Sequence, residues 1–368
     1  MKIGIDAVTI LVGKTGGIET YTIELIRALV RAPAAHEYVV FAQPGLAEAV
    51  GVDSPALRFV EVAHGARSLG AAFTDQLAWM PRAARRAGVD LIHHVKNYAA
   101  AAHVPQVLTL HDMFPEYFLR REPQRDGWQN LARTLLMCAS ARMVRRVLTV
   151  SEAAARHIEA VTGLGRDRVG VTPIAPKRMV RGGDHPFPAL DAGYFLTLGK
   201  TAGYKNLPRL IRAFLRARTG RRLVVAGLPA FLGGAVARET HELAARSGGR
   251  VFLAGYVAEG RLAPLYERAR AFLFPSLIEG FGLPPLEAAS LGVPVAVSDI
   301  DVHREVMDDA ALRFDPVDEA AIAAAIERLD GDDALCGRLS AMGPQRARHF
   351  SWDATARLTL AAYEAAAA

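Results

Sequence analysis

The sequence predicts an α/β protein of two doubly wound, parallel-sheet domains. Three observations carry that reading. Short apolar runs alternate with stretches of helical periodicity along the chain, the pattern of strands covered by helices. The 368 residues exceed what one ordinary core organises. Residues 175–193, APKRMVRGGDHPFPALDAG, interrupt the alternation with proline, glycine and charge in no period, so a linker is expected there. The expected organisation is an N-terminal domain over 1–175, a linker over 176–193, a C-terminal domain over 194–350 and a final helix over 351–368. That helix could pack on either half.

In the first half, strands are expected at 3–8, 38–42, 58–62, 90–93, 106–110 and 147–150. A helix is expected at 18–30, where Ile18, Tyr21, Leu25 and Leu29 recur on one face. Another is expected at 152–161, with Ser151 as its N-cap. The second half repeats the alternation, with strands at 194–198, 223–226, 251–253, 271–274 and 294–297. Doubly wound sheets bind ligands outside the carboxyl ends of their strands, so the chemistry belongs in the loops after strands, in a crevice between the domains.

A hydrophobic share of 51% and a charged share of 22% suit a soluble globular protein. There is no run of about 18 apolar residues that would span a membrane, and the opening MKIGID reads as a strand, not a signal peptide. Cys138 and Cys336 stand far apart without ligand-like neighbours, which argues for the cytoplasm and against a disulfide or zinc framework. The net charge is +6, but only six of the 44 cationic residues are lysine. Such an arginine-rich composition reflects codon bias more than a partner, and no nucleic-acid motif accompanies it.

The most informative segment runs from Phe274 to Glu287, FPSLIEGFGLPPLE. It reads as a strand end, a glycine turn and a helix start. Pro284 and Pro285 suit a first helical turn, where a missing N–H costs nothing. Gly280 and Gly282 let the backbone approach a ligand closely, and the N–H groups of such a turn form an anion site suited to a diphosphate. Glu279 lies just before the turn, and Glu287 is expected in the first turn of the helix. Two carboxylates would repel phosphate alone. They make sense as acceptors of hydroxyl hydrogens on either side of it, from a sugar and a ribose. The plainer alternative is a glycine–proline loop whose Glu287 complements the helix dipole.

Glu279 and Glu287, with GFGLPPL between them and EAASLGVPV following, resemble the signature of the retaining glycosyltransferase family 4, or glycosyl transferase group 1. The resemblance spans nearly the whole chain: GGIETYTIELIRAL from Gly16, TLHD from Thr109, VLTVSEAAARHI from Val147, YKNLPRLIRAF from Tyr204, SDIDVHREVMDDAALRFDP from Ser298 and FSWDATA from Phe350. It implies the GT-B fold, two Rossmann-like doubly wound domains facing each other across a cleft.

The resemblance also implies roles. Glu287 would bind the donor ribose, and Glu279 the transferred sugar. The backbone of Gly280, Phe281, Gly282 and Leu283 would serve the sugar and the distal phosphate. Lys205 matches the lysine that neutralises the donor diphosphate, with Asn206 read as an N-cap and Pro208 as an early helical residue. Lys200 lies near a second cation of the family, although GKTAGYKN departs from the commoner arginine-containing form. Gly16 and Gly17 would present N–H groups from the N-terminal domain, and Lys14 would be a loop cation over the site. His111, at the end of QVLTL, matches a histidine beside the donor sugar. Asn97 and Tyr98 fall in an acceptor-side loop.

No cofactor and no metal are implied, since His93, His94 and His103 are not spaced as a site. No general base is assigned, because the resemblance implies same-face attack with the leaving phosphate helping to deprotonate the acceptor. GDP-mannose is the favoured donor on the strength of the DVHREV block, with UDP-hexoses open. A lipid-linked oligosaccharide is the favoured acceptor. The stretch that starts at Arg120 and ends at Arg146 interleaves arginine with Trp128, Leu131, Leu135 and Leu136, either as a solvated helix face or as a dock on anionic lipid. A nucleotide-sugar-binding scaffold, an epimerase and a phosphorylase are the competing readings.

Overall fold

The strand segments are apolar almost throughout, which suits strands covered on both faces. All of them pair in parallel. The computed structural model describes residues 1–368 except 14, 35, 64, 67, 122–126, 180, 200–201 and 228–233, with backbone alone at 69, 121 and 259. The chain forms two compact units, Met1–Ala175 with Ser351–Ala368, and Pro176–Phe350.

The first unit holds β1 (Lys2–Ala7), β2 (Glu37–Ala42), β3 (Leu57–Glu61), β4 (Leu91–His94), β5 (Gln106–Thr109), β6 (Arg146–Thr149) and β7 (Val169–Val171). Their order across the sheet is β3-β2-β1-β4-β5-β6-β7. The second unit holds β8 (Tyr194–Leu198), β9 (Leu223–Ala226), β10 (Val251–Gly255), β11 (Ala269–Phe274), β12 (Val295–Ser298) and β13 (Leu312–Phe314), ordered β10-β9-β8-β11-β12-β13. In each sheet the winding reverses beside the first strand, between β1 and β4 and between β8 and β11. Connections there leave to opposite sides and open a crevice at the strands' carboxyl ends.

All eleven expected strands form, each end within two residues of the expected one. β7 and β13 have no counterpart among them. Each is three residues long, VGV and LRF, too short for a period to register. The expected helices form as Gly17–Arg31 and Glu152–Thr162, and Ser151 caps the latter by accepting the Ala154 N–H at 3.0 Å.

Residues 176–193 belong to the second unit, where the Arg181 guanidinium donates to Leu291 O at 3.1 Å and His185 Nε2 meets Tyr194 Oη at 2.8 Å. The final helix, Trp352–Ala367, packs on the first unit. It lies against the Gly17–Arg31 helix, donates from Thr355 Oγ1 to Pro173 O at 2.6 Å, and brings the buried Tyr363 hydroxyl to His93 Nδ1 at 2.7 Å. Among the described residues no helix is long and apolar enough to cross a membrane.

Candidate functional site

In the second unit a cation and a carboxylate meet where the sheet reverses. Lys205 comes from the loop after β8 and Glu279 from the loop after β11, and Lys205 Nζ donates to Glu279 Oε1 at 2.6 Å. Both side chains are largely buried, 14% and 10% exposed. The ammonium also lies 4.6 Å from the centroid of the Phe274 ring and 5.1 Å from that of Tyr204, where the ring quadrupoles attract it.

Asn206 sets this loop by a different means from the one expected. Its φ of 57° is left-handed, and its side chain makes no capping bond to the following helix, Leu207–Arg216. Instead its Nδ2 donates to Pro316 O at 2.7 Å and to Pro275 O at 3.1 Å. The amide therefore stitches the β8 loop to the ends of β11 and β13, and Leu277 N–H closes the seam on Tyr204 O at 2.8 Å. An asparagine tolerates this dihedral and supplies two donors in one side chain.

The turn after Glu279 ends at Gly282, with φ 88° and ψ 59°, and the helix Leu283–Ser290 begins with no capping side chain. A Cβ at Gly282 would lie 3.3 Å from the His303 imidazole, so both dihedral and space call for glycine. Pro284 and Pro285 occupy the first turn, as expected. Glu287 is one turn further along than expected. As the fifth helical residue it is 7% exposed, with Oε2 3.4 Å from the hydroxyl of the fully buried Tyr266. Burial, reinforced by the Glu287 charge, raises the Tyr266 phenol well above its ordinary value.

His303, from the Asp301–Met307 helix, is fully buried. Its Nδ1 lies 2.9 Å from Ser298 O, an acceptor, so Nδ1 carries the hydrogen and Nε2 the lone pair. Burial lowers its pKa from 6.5 to about 4, so the ring is neutral.

In the first unit, the Gly17–Arg31 helix starts at Gly16, with φ 65° and ψ −133° and no capping side chain. One turn on, Tyr21 packs edge-on against His111 with ring centroids 4.6 Å apart, and its hydroxyl lies 3.0 Å from Thr109 Oγ1. His111, just past the carboxyl end of β5, is 8% exposed. Its Nε2 donates to Val95 O at 2.9 Å, which leaves the lone pair on Nδ1. Burial, with a further contribution from the Lys96 charge and against the Val95 hydrogen bond, lowers its pKa to about 4. Asn97 accepts the His111 N–H at 3.2 Å and so holds the histidine loop. His93 and His94 are buried among polar partners, His94 Nδ1 meeting Asp6 Oδ2 at 2.6 Å. Among the described residues no three His, Cys, Asp or Glu side chains are grouped to hold a metal ion.

Lys205, Glu279, the turn Gly280, Phe281, Gly282 and Leu283, and Glu287 thus share one neighbourhood of the second unit. In the first unit, Gly16 and Gly17 open the helix whose Tyr21 packs on His111. Lys200 and Lys14 lie outside the described residues. Sequence reasoning marked Tyr21 only as a core-facing helix residue and did not single out Lys96, Tyr266 or His303 as site residues. His303 stands in the quoted DVHREV block, but nothing in its spacing says that the ring ends under the Gly282 turn.

Two parallel-sheet domains, with a cation and two carboxylates around a glycine turn at a switch point of the second sheet, are the architecture of a glycosyltransferase of the GT-B fold. The similarities agree. Residues 187–346 match the family described as glycosyl transferases group 1, and residues 15–174 match glycosyltransferase family 4. The O-antigen chain mannosyltransferase B of Escherichia coli is 31% identical over 296 residues, 75% of this chain and 74% of that protein. The O-antigen chain mannosyltransferase RfbU of Salmonella typhimurium is 27% identical over 226 residues, 61% of each. The fold is shared with the sucrose-phosphate synthase of Thermosynechococcus elongatus, at TM-score 0.78 and 21% identity over 99% of this chain and 98% of that one. It is shared too with Anabaena Alr3699/HepE, solved in complex with UDP and glucose, at TM-score 0.72 and 17% identity over 99% and 100%. The chain belongs to glycosyltransferase family 4.

Proposed function

We propose that this glycosyltransferase moves a mannosyl group from a nucleotide-diphosphate sugar, GDP-mannose in first place, to a glycan or lipid-linked glycan. The transfer retains anomeric configuration and needs no metal ion. The observation that carries the donor reading is the Lys205–Glu279 pair beside the Gly282 turn, where the sheet order reverses between β8 and β11. A diphosphate there finds an ammonium and a helix start, the two features that stabilise a leaving group of growing negative charge. Glu279 takes the transferred sugar and Glu287 the ribose. His111, neutral and with its Nε2–H committed to Val95 O, positions the sugar and is not a proton donor. The O-antigen mannosyltransferase relatives support mannose. The complex of Alr3699/HepE with UDP and glucose supports a nucleotide-sugar donor and keeps UDP-hexoses in play. Retention and metal independence rest on membership of a family read as retaining, with Lys205 in the place of a metal.

The acceptor reading rests on the Gly127–Met143 helix. Trp128 is 79% exposed, Leu135 60%, Met143 45% and Leu136 39%. At about 100° per residue these form one apolar stripe, bordered by Arg133 and Arg142. A membrane surface with anionic lipid covers such a stripe and presents a lipid-linked acceptor.

The test is a binding and transfer series on the full chain. GDP-mannose should raise the melting temperature more than UDP-glucose, and transfer to a mannose-terminated acceptor should proceed in EDTA with the donor's anomeric configuration. Lys205→Ala and Glu287→Ala should each raise donor KM by about ten-fold or more. Unchanged kinetics in both variants would sink the site, and an inverted product the assignment of retention.

A further inference from the structure

Glu279 has two neighbours with opposite demands. It accepts the Lys205 ammonium at 2.6 Å, and the turn that follows it is the one that receives a diphosphate on the reading proposed above. A carboxylate beside that position opposes the phosphate twice, by repulsion and by occupying the cation the phosphate needs. In a partly buried site, where the effective dielectric constant is well below that of water, that opposition is strong enough to read as a change in affinity. The pair is also largely buried, so a carboxylate stripped of its partner pays for lost solvation.

A sugar removes both penalties. Its hydroxyls donate to Glu279 and keep the carboxylate satisfied once the ammonium turns to the phosphate. A bare nucleoside diphosphate brings no such donor. The ammonium itself is not left adrift by the exchange, because the Phe274 and Tyr204 rings hold it at 4.6 and 5.1 Å. Asn206 fixes its loop through two carbonyls. His303, which feels both charges, is neutral, with its Nδ1–H on Ser298 O, and adds no positive charge to replace Lys205 at Glu279.

We propose that Glu279 discriminates between the nucleotide-sugar and the bare nucleoside diphosphate. It releases Lys205 at low cost only when a sugar hydroxyl takes the ammonium's place. The device favours the loaded donor over spent product at the same phosphate site, so it speeds product release as well as holding the sugar. It rests on the donor reading above and assigns Glu279 a second task, directed at a molecule that lacks the group it binds.

The experiment is titration calorimetry of the full chain and its Glu279→Gln and Glu279→Ala variants with GDP and GDP-mannose, and in parallel with UDP and UDP-glucose. Removing the charge should tighten the bare diphosphate by about ten-fold. The matching nucleotide-sugar should bind equally or more weakly, so the preference for the sugar-bearing form collapses. Product inhibition by the same diphosphate should tighten in step, a second measurement that needs only a residual rate. The proposal is overturned if both ligands shift together or if the bare diphosphate weakens in both variants. If the wild-type chain binds none of the four compounds, the donor reading itself fails and takes this one with it.

Discussion

Two buried imidazoles make the residue scale testable through pH. His111 and His303 keep neutral rings because burial opposes their charge, and each has a folded-state pKa of about 4 against an ordinary 6.5. Between those values the unfolded chain binds protons that the folded chain refuses. Their contribution to stability is therefore complete above pH 6.5 and is lost as the pH falls toward 4. At about 1.4 kcal/mol per unit, each withdraws on the order of 3 kcal/mol across that window. Since His93 is held lower still, at about 3, thermal melts should show acid unfolding beginning well above pH 4. Replacing His303 by glutamine should flatten the slope of melting temperature against pH between 6.5 and 4. An unchanged slope would remove the imidazole from the explanation.

At the scale of elements, the glycine turn and the exposed helix carry separate predictions. Gly282→Ala forces a Cβ into a left-handed residue, a cost of about 1–2 kcal/mol, and sets it 3.3 Å from the His303 ring. The variant should melt lower and, on the proposed donor reading, bind donor less well, because that reading gives the turn's N–H groups to the phosphate. A normal donor KM would show that the turn is only a connection. The Gly127–Met143 helix should behave in the opposite way. Trp128→Ser with Leu135→Ser changes exposed side chains, so the melting temperature should hold within a degree or so. Sedimentation with vesicles containing anionic lipid should fall sharply. Equal sedimentation of variant and parent would leave the stripe without its membrane.

For the whole molecule, the chain's last helix completes the first unit after the second has been made. Tyr363, fully buried, meets His93 on β4, and His93 Nε2 in turn meets Thr109 Oγ1 at 2.7 Å on β5. The remote end of the sequence thus satisfies polar groups in the middle of the first sheet. Tyr363→Phe leaves His93 Nδ1 buried without its hydroxyl, at about 1–3 kcal/mol. Hydrogen exchange should quicken over β4, β5 and the Gly17–Arg31 helix while Pro176–Phe350 keeps its protection. Loss spread evenly over both units would contradict the division.

The sequence by itself determined the class of fold, because alternating strand and helix periods are local properties that each segment carries alone. It also placed the candidate residues: Gly16, His111, Lys205, Glu279 and Glu287 all follow strands, and in a doubly wound sheet that puts them toward a carboxyl end. Only the tertiary structure decided what these residues touch. Asn206 was legible as a helix cap from its neighbours, but its amide spans to Pro275 and Pro316, carbonyls far along the chain that only folding brings within reach. The three-residue strands β7 and β13 exist because neighbouring strands offer an edge, not because VGV or LRF demands one. His303 ends under Gly282 and Tyr266 beside Glu287 through packing across helices, which has no period to read. The same holds for Lys205 and Glu279. Each stands in a motif that could be read separately, but a 2.6 Å bond between them arises only where β8 and β11 lie side by side, since the sheet's order, not the chain's, sets that distance.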